Sequence, residues 1–187
     1  VNVERNEMYP ITFNAPQING HHYVVLAGLK WATENVPNSD SSPAAGHDPN
    51  YGYCFTRECS KGLSAKEAAE SWGSDANGTW KLPTEEQWEK LIDECDWTWR
   101  NSSTENGKFY PAGVWVYGKK GTEIGNKIFL PVIDGDFYDH SYDNYCATGY
   151  WSSTGDRYLY ITGNRHDMWS KSYDVQNWAL MVRPVSE

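Results

Sequence analysis

The clearest pattern of apolar and polar positions lies in the segment WKLPTEEQWEKLIDEC, residues 80–95, and it predicts an amphipathic helix. Its apolar residues recur at spacings of three and four, which places them along one side of a helix. They are Trp88, Leu91, Ile92 and Cys95. Thr84 and Gln87 have the spacing of a capping box, in which each side chain accepts a hydrogen bond from the other residue's backbone N–H. We therefore expect the helix to begin just after Thr84.

A shorter helix is predicted upstream, in the segment SAKEAAESWG, residues 64–73. Ser64 and Glu67 repeat the capping-box spacing, and the alanines and tryptophan that follow give the segment one apolar face. Gly73 ends the pattern, so this helix spans only a few turns.

Downstream of Cys95 the pattern changes to short apolar runs that predict β-strands. Clusters of Gly, Asn and Asp separate these runs, which are DWTWR, FYPAGVWVYG, KIFLPVI, YWSST, RYLYITG and WALMVRPV. Another strand is expected at 23–26, and the Pro-, Ser- and Asp-rich residues 36–50 are typical of a surface loop. Helices followed by strands predict an α+β fold. The whole chain, 1–187, is expected to be one domain, of which about the first 20 residues could be an extension.

The composition argues against several kinds of partner. The formal net charge of −9 argues against nucleic acid and anionic membrane surfaces, which both attract basic proteins. No apolar run is long enough to cross a bilayer, so direct membrane insertion is not expected, and the first residues lack the pattern of a signal peptide. The chain has 10 Trp and 13 Tyr but only 5 Phe. Trp and Tyr combine an apolar ring with a polar atom, so this excess favours surfaces that are both packed and hydrated.

No residue set has the spacing of a catalytic motif, so we expect no catalytic residues and no cofactor. Ser152 and Ser153 lie outside a Gly-x-Ser-x-Gly turn. The chain also lacks a phosphate-binding glycine loop and a His-Glu-x-x-His zinc motif. An enzyme would have to use Cys54, Cys59 and His47, the one plausible cluster for a metal or a reactive thiol.

The metal-binding residue types likewise lack a regular arrangement, so no metal site is predicted. The four cysteines allow three pairings, and sequence does not choose among them. Cys54 and Cys59 could form a local disulfide or remain free thiols, and a zinc site would need a second ligand pair. The acidic segment DGDFYDHSYDNY, residues 134–145, offers oxygens that calcium prefers, without the spacing of an EF-hand. We interpret it as a series of Asp-capped turns, with calcium binding as the alternative.

Five motifs occur in the order found in one bacterial domain family: LAGLKWATENV, WKLPTEEQWEKL, IFLP, GYWSST and VRPV. The second is similar to a helix start in formylglycine-generating-enzyme-like C-type lectin folds. From about Tyr23 to Val185 the series resembles the Fibrobacter succinogenes major paralogous domain, which belongs to bacterial surface proteins. The resemblance implies a C-type-lectin-like fold with two helices, small twisted antiparallel sheets and a large irregular loop region. It also implies an extracellular or cell-surface location.

The resemblance extends to the variable proteins of diversity-generating retroelements, which use this fold to display hypervariable side chains near the C-terminus. Here the segment between GYWSST and VRPV occupies that place. Two activities of related folds are not implied. Formylglycine-generating enzymes use paired cysteines near the C-terminus, and this chain has none after Cys146. The Glu-Pro-Asn and Trp-Asn-Asp motifs of calcium-dependent sugar-binding lectins are also absent.

The segment 156–180 is the predicted ligand-binding surface, because it combines large rings with adaptable polar groups. The predicted contact residues are Asp156, Arg157, Tyr158, Tyr160, Arg165, Asp167, Trp169, Lys171, Tyr173, Asp174, Asn177 and Trp178. The residues expected to anchor the segment in the core are Leu159, Ile161, Met168, Val182 and Val185. Alternatively, Trp169, Tyr173 and Trp178 fill the core themselves. Five other rings are expected there, those of Trp31, Trp80, Trp88, Trp115 and Trp151.

We therefore expect a non-enzymatic recognition domain of a bacterial surface or secreted protein. Its partner would be a protein or glycan ligand on another cell or surface. One alternative is a structural module of a fimbrial or cell-surface assembly. Another is an enzyme derived from the formylglycine-generating fold.

Overall fold

The computed structural model describes residues 15–37, 54–56, 63–105, 108–132, 147–163, 165–170 and 179–187. Within these ranges the chain forms two α-helices, sixteen short strands and one 3₁₀ helix, Gly121–Glu123. The predicted α+β class is therefore confirmed.

The helices are α1 (Ala65–Glu70) and α2 (Glu85–Glu94). The strands in the first half are β1 (Gln17–Ile18), β2 (His21–Leu26), β3 (Leu29–Ala32), β4 (Cys54–Thr56), β5 (Ser74–Asp75), β6 (Gly78–Thr79) and β7 (Cys95–Arg100). Those that follow are β8 (Ser103–Glu105), β9 (Lys108–Tyr110), β10 (Gly113–Gly118), β11 (Lys127–Pro131), β12 (Ala147–Trp151), β13 (Arg157–Thr162), β14 (Arg165–Ser170), β15 (Ala179–Met181) and β16 (Val185–Ser186).

Both helices begin where the sequence predicts. Thr84 accepts a hydrogen bond from the backbone N–H of Gln87, and the Gln87 side chain accepts one from Thr84 N–H. Ser64 and Glu67 make the same reciprocal pair at the start of α1. These bonds satisfy N–H groups that a helix cannot pair internally at its first turn.

The strands form three main sheets and two small hairpins. The largest sheet has the order β14-β13-β12-β15-β4 and is antiparallel except where β12 runs parallel to β15. A second sheet has the order β1-β2-β3-β16, and a third has the order β11-β10-β7. Both of these are antiparallel throughout.

The two faces of the largest sheet contribute to two different cores. On one face lies the α2-side core, formed by Leu26, Ala27, Trp31, Trp88, Leu91, Cys95, Val114, Val116, Ile128, Leu130, Val132, Tyr150, Leu159, Ile161, Met181 and Val185. On the other lies the α1-side core, formed by Ile18, Ala32, Val36, Ala65, Ala68, Ala69, Trp72, Trp80, Leu82, Trp151, Tyr158, Leu180 and Val182. Neighbouring residues of a strand point to opposite faces, so this one sheet contributes to both cores.

Most of the anchors predicted for the C-terminal segment are confirmed. Leu159, Ile161, Val182 and Val185 are buried, and Met168 is partly buried against the α2-side core. The rings of Trp31, Trp80, Trp88 and Trp151 are buried as well.

Trp115 corrects the prediction, because it is only half-buried. Its neighbours Val114 and Val116 face the core, so the alternation of β10 turns Trp115 to the other side of the third sheet. There its ring contacts Phe129 and Tyr117, and the Lys127 ammonium lies 4.6 Å from its ring centroid.

Several predictions concern residues or side chains that the structure does not describe. They are the roles of the Cys54 side chain, Cys59, His47, Cys146 and the acidic segment 134–145. Cys95 is a free thiol, and burial raises its pKa to about 11, so it stays protonated at neutral pH. In the described part of the chain no helix has the length and apolar character needed to span a membrane.

Candidate functional site

The site is built on the hairpin of β13 and β14, whose register puts two aromatic rings and an ion pair on one side. Tyr160 pairs with Asp167, Tyr158 with Trp169, and Thr162 with Arg165. Directly paired residues of antiparallel strands share a face of the sheet. We call Tyr160, Arg165, Asp167 and Trp169 the hairpin face.

The side chains of the hairpin face hold one another in place. Trp169 is 38% exposed, and its ring centroid lies 4.7 Å from that of Tyr160. The Arg165 guanidinium lies 5.5 Å from the Trp169 ring centroid, within cation–π range. Arg165 Nε also donates to Asp167 Oδ2 at 2.6 Å. The partly exposed Trp169 ring therefore packs between the Tyr160 ring and the Arg165–Asp167 ion pair.

The opposite side of β14 attaches the hairpin to the protein. His166 stacks on Trp97 with a centroid distance of 4.4 Å and an interplanar angle of 6°. Trp97 Nε1 donates to the Leu91 carbonyl of α2 at 3.3 Å. Burial lowers the pKa of His166, and the neighbouring Asp167 carboxylate partly opposes this, so the imidazole is neutral at pH 7. The stack is thus an uncharged contact on the side of β14 opposite the hairpin face.

A groove of about 620 Å³ runs between α2 and the hairpin. It is lined by Glu89, Ile92, Asp93, Arg157, Arg165, Asp167, Met168 and Trp169. Met168 points to the opposite side of the strand from Asp167 and Trp169. A groove that touches all three must therefore pass along the edge of β14.

Both arginines of the groove already have a carboxylate partner. Arg157 Nε donates to Glu85 Oε1 at 2.6 Å, and Arg157 Nη2 forms an ion pair with the same oxygen. Arg165 is paired with Asp167. Among the described residues no cation pairs with Glu89 or Asp93, which are exposed one turn apart on α2. The groove therefore has an excess of negative charge.

The structure brings together Arg157, Tyr160, Arg165, Asp167 and Trp169 of the predicted contact residues. Asp156 is exposed in the turn that precedes β13. Another five, Lys171, Tyr173, Asp174, Asn177 and Trp178, lie outside the described residues.

The prediction that Tyr158 is an exposed contact residue is wrong. It is 2% exposed and belongs to the α1-side core. Burial raises the pKa of its hydroxyl to about 12, with a smaller contribution from Tyr160. It follows that Tyr158 supports the sheet and offers no free surface to a ligand.

The α2 side of the groove was missed by sequence reasoning. Glu89 and Asp93 are four positions apart on the polar side of the predicted helix, next to Ile92. That pattern is common to any solvated helix, so nothing in it marked these residues as part of a site.

The described residues contain no group of three or more His, Cys, Asp or Glu side chains arranged to hold a metal ion. The chain was compared with protein-family models, with curated proteins and with solved structures, and none of the three comparisons gave a match.

Proposed function

We propose that this protein is a ligand-recognition domain on a C-type-lectin-like fold, and that the hairpin face contacts the ligand. In this proposal it is not an enzyme but part of a bacterial surface or secreted protein, related to the variable proteins of diversity-generating retroelements. Its ligand is a protein or a glycan presented on another cell or surface.

The observation that carries the proposal is the position of Trp169. Among the described residues only three large apolar side chains are exposed: Leu63, Ile124 and Trp169. Of these three, Trp169 alone lines the groove. Trp and Arg are the residues that most often dominate binding energy when they are buried by a partner.

The packing around Trp169 supports the same conclusion. A side chain that is already ordered loses less conformational freedom when a ligand covers it, so less binding free energy is lost. Tyr160 and Arg165 restrict the indole before any ligand arrives. The adjacent ion pairs offer hydrogen-bonding groups around the ring, as in other adaptable binding surfaces.

The test uses two probes, a printed glycan array and a phage-displayed dodecapeptide library, each applied to the purified native domain. Ligands obtained from either probe are then titrated against Trp169→Ala. We expect at least about tenfold weaker binding, because truncating a buried hot-spot ring costs about 2 kcal/mol or more. The free energy of unfolding should change by no more than about 1 kcal/mol, because the ring is only partly packed.

Ile124→Ala is the matched control, because Ile124 is 70% exposed and lies just after the 3₁₀ helix, outside the groove. This variant should bind every ligand as the native domain does. Ligands that bind Trp169→Ala with native affinity would contradict the proposal, as would the absence of any ligand from both probes.

A further inference from the structure

The groove runs along β14, which is an edge strand of the largest sheet within the part of the chain that the structure describes. Within the described residues β14 pairs on one side only, with β13. Alternate residues of an edge strand direct their N–H and C=O groups away from the sheet, where they can pair with another strand. Because the groove is lined by both faces of β14, these groups border it.

The charge of the groove favours a basic occupant. Arg157 and Arg165 are neutralised by Glu85 and Asp167, whereas Glu89 and Asp93 are left without a described cation. The whole chain has a formal net charge of −9. Such a field raises the association rate of a positively charged partner and suppresses acidic ones.

We infer that the occupant of the groove is an extended, lysine- or arginine-bearing segment of a partner protein, which adds to β14 as an extra strand. Its backbone pairs with the open edge, and its basic side chains contact Glu89 and Asp93. This inference rests on the proposed function and names its partner class. A glycan could also stack on Trp169, but it would leave the strand edge unpaired and the carboxylates without cations.

The spacing of the carboxylates sets the expected sequence of the partner segment. Glu89 and Asp93 are four positions apart on the helix, a rise of about 6 Å. Side chains at positions i and i+2 of an extended strand share a side and lie about 7 Å apart. Two basic residues separated by one residue therefore match the two carboxylates.

The experiment selects the dodecapeptide library on the native domain and titrates the enriched peptides as synthetic, end-capped molecules. We expect Lys or Arg at two positions separated by one residue. The double variant Glu89→Gln/Asp93→Asn should bind these peptides at least about tenfold more weakly. Both side chains are exposed and the replacements are close in shape, so the fold is retained.

A second double variant, Glu70→Gln/Asp96→Asn, controls for total charge. It removes the same two negative charges from exposed positions on α1 and β7, outside the groove. Its affinity should stay within about threefold of the native value at physiological salt, because distant exposed charges are screened.

Backbone pairing is tested by methylating the amide nitrogens of the peptide one at a time. Alternate positions should lose affinity, because only every second N–H of the added strand faces β14. Uniform tolerance of methylation would overturn the inference, as would enriched peptides that lack basic residues or ignore Glu89→Gln/Asp93→Asn.

The two proposals fail in different ways. If only glycans bind, or if peptides depend on Trp169 but not on Glu89 and Asp93, the strand-addition inference is wrong and the recognition function stands. If neither Trp169→Ala nor Glu89→Gln/Asp93→Asn weakens any ligand, both are wrong.

Discussion

At the scale of single residues, Arg183 carries a charge into the interior of the protein. It is 1% exposed, and its guanidinium donates to the carbonyls of Ala32 at 3.0 Å and Phe129 at 2.8 Å. Burial lowers the pKa of Arg183, and a hydrogen bond with Tyr150 and the charge of the Glu34 carboxylate oppose this shift. One side chain thus joins β3 and β11 to the C-terminal segment, at the cost of desolvating a cation.

Replacing Arg183 tests whether its hydrogen bonds outweigh that desolvation. Arg183→Met keeps most of the volume but leaves two carbonyls without their donor, and each unsatisfied buried group costs about 1–3 kcal/mol. We expect a net loss of about 2–4 kcal/mol in the free energy of unfolding, measured by urea denaturation.

Arg165→Met is the matched control for this measurement, because Arg165 is exposed. Its effect on stability should be within about 0.5 kcal/mol. Equal or greater stability of Arg183→Met would show that the buried charge is a net burden, as it is in some proteins whose buried ion pairs were replaced by apolar residues.

The rings show how far single residues can be predicted. Four of the five tryptophans assigned to the core are buried there, because they lie on helix or strand patterns with a clear apolar side. Trp115 and Tyr158 were assigned to the wrong side. Both lie on strands that carry aliphatic residues on one face and aromatic residues on the other, so alternation alone does not identify the buried face.

At the scale of elements, the two helices were the most predictable features of the fold. Their capping boxes depend on residues three apart, so the sequence alone contains the whole interaction. The apolar runs predicted as strands after Cys95 overlap β7, β10, β11, β12, β13 and β15, but β14 was not among the predicted strands, and the order of the strands in the sheets was not predicted. Sheet order depends on contacts between distant segments, such as β16 with β3 and β15 with β4.

The cap of α2 gives a prediction at this scale. Thr84→Ala removes the acceptor for the Gln87 N–H and should lower the free energy of unfolding by about 1 kcal/mol. Thr84→Ser keeps the hydroxyl and should change it by much less. Urea denaturation of both variants checks this, and equal stability of the alanine variant would mean that water replaces the cap without loss.

The groove could be predicted only in part because its two walls come from separate elements. The hairpin wall came from side-chain chemistry within one segment. The α2 wall, with Glu89 and Asp93, depends on the docking of α2 against β13 and β14, which no local pattern reveals.

At the scale of the whole molecule, one sheet is shared by two cores. Leu159 and Ile161 of β13 belong to the α2-side core, whereas Tyr158 of the same strand belongs to the α1-side core. Loss of the strand would expose both cores at once. We therefore expect the described domain to unfold in a single cooperative transition.

Leu159→Ala tests this coupling. Removing a fully buried leucine should lower the free energy of unfolding by about 2–5 kcal/mol. Because the sheet is shared, amide hydrogen exchange should accelerate in α1, across the sheet, as much as in α2. Faster exchange confined to α2 would show instead that the two cores open independently, and Ile124→Ala should leave both helices unchanged.

The alternation of β14 has a consequence for how this protein can change over generations. One side of β14 carries Arg165, Asp167 and Trp169 and is partly exposed. The other side packs against the protein, where His166 stacks on Trp97 and Met168 contacts the α2-side core. Mutations of Arg165, Asp167 or Trp169 would change the side chains on the exposed side of β14 and leave the contacts of His166 and Met168 unchanged. Descendants of this protein could thus acquire a new binding specificity by changing these three positions and still keep the same fold.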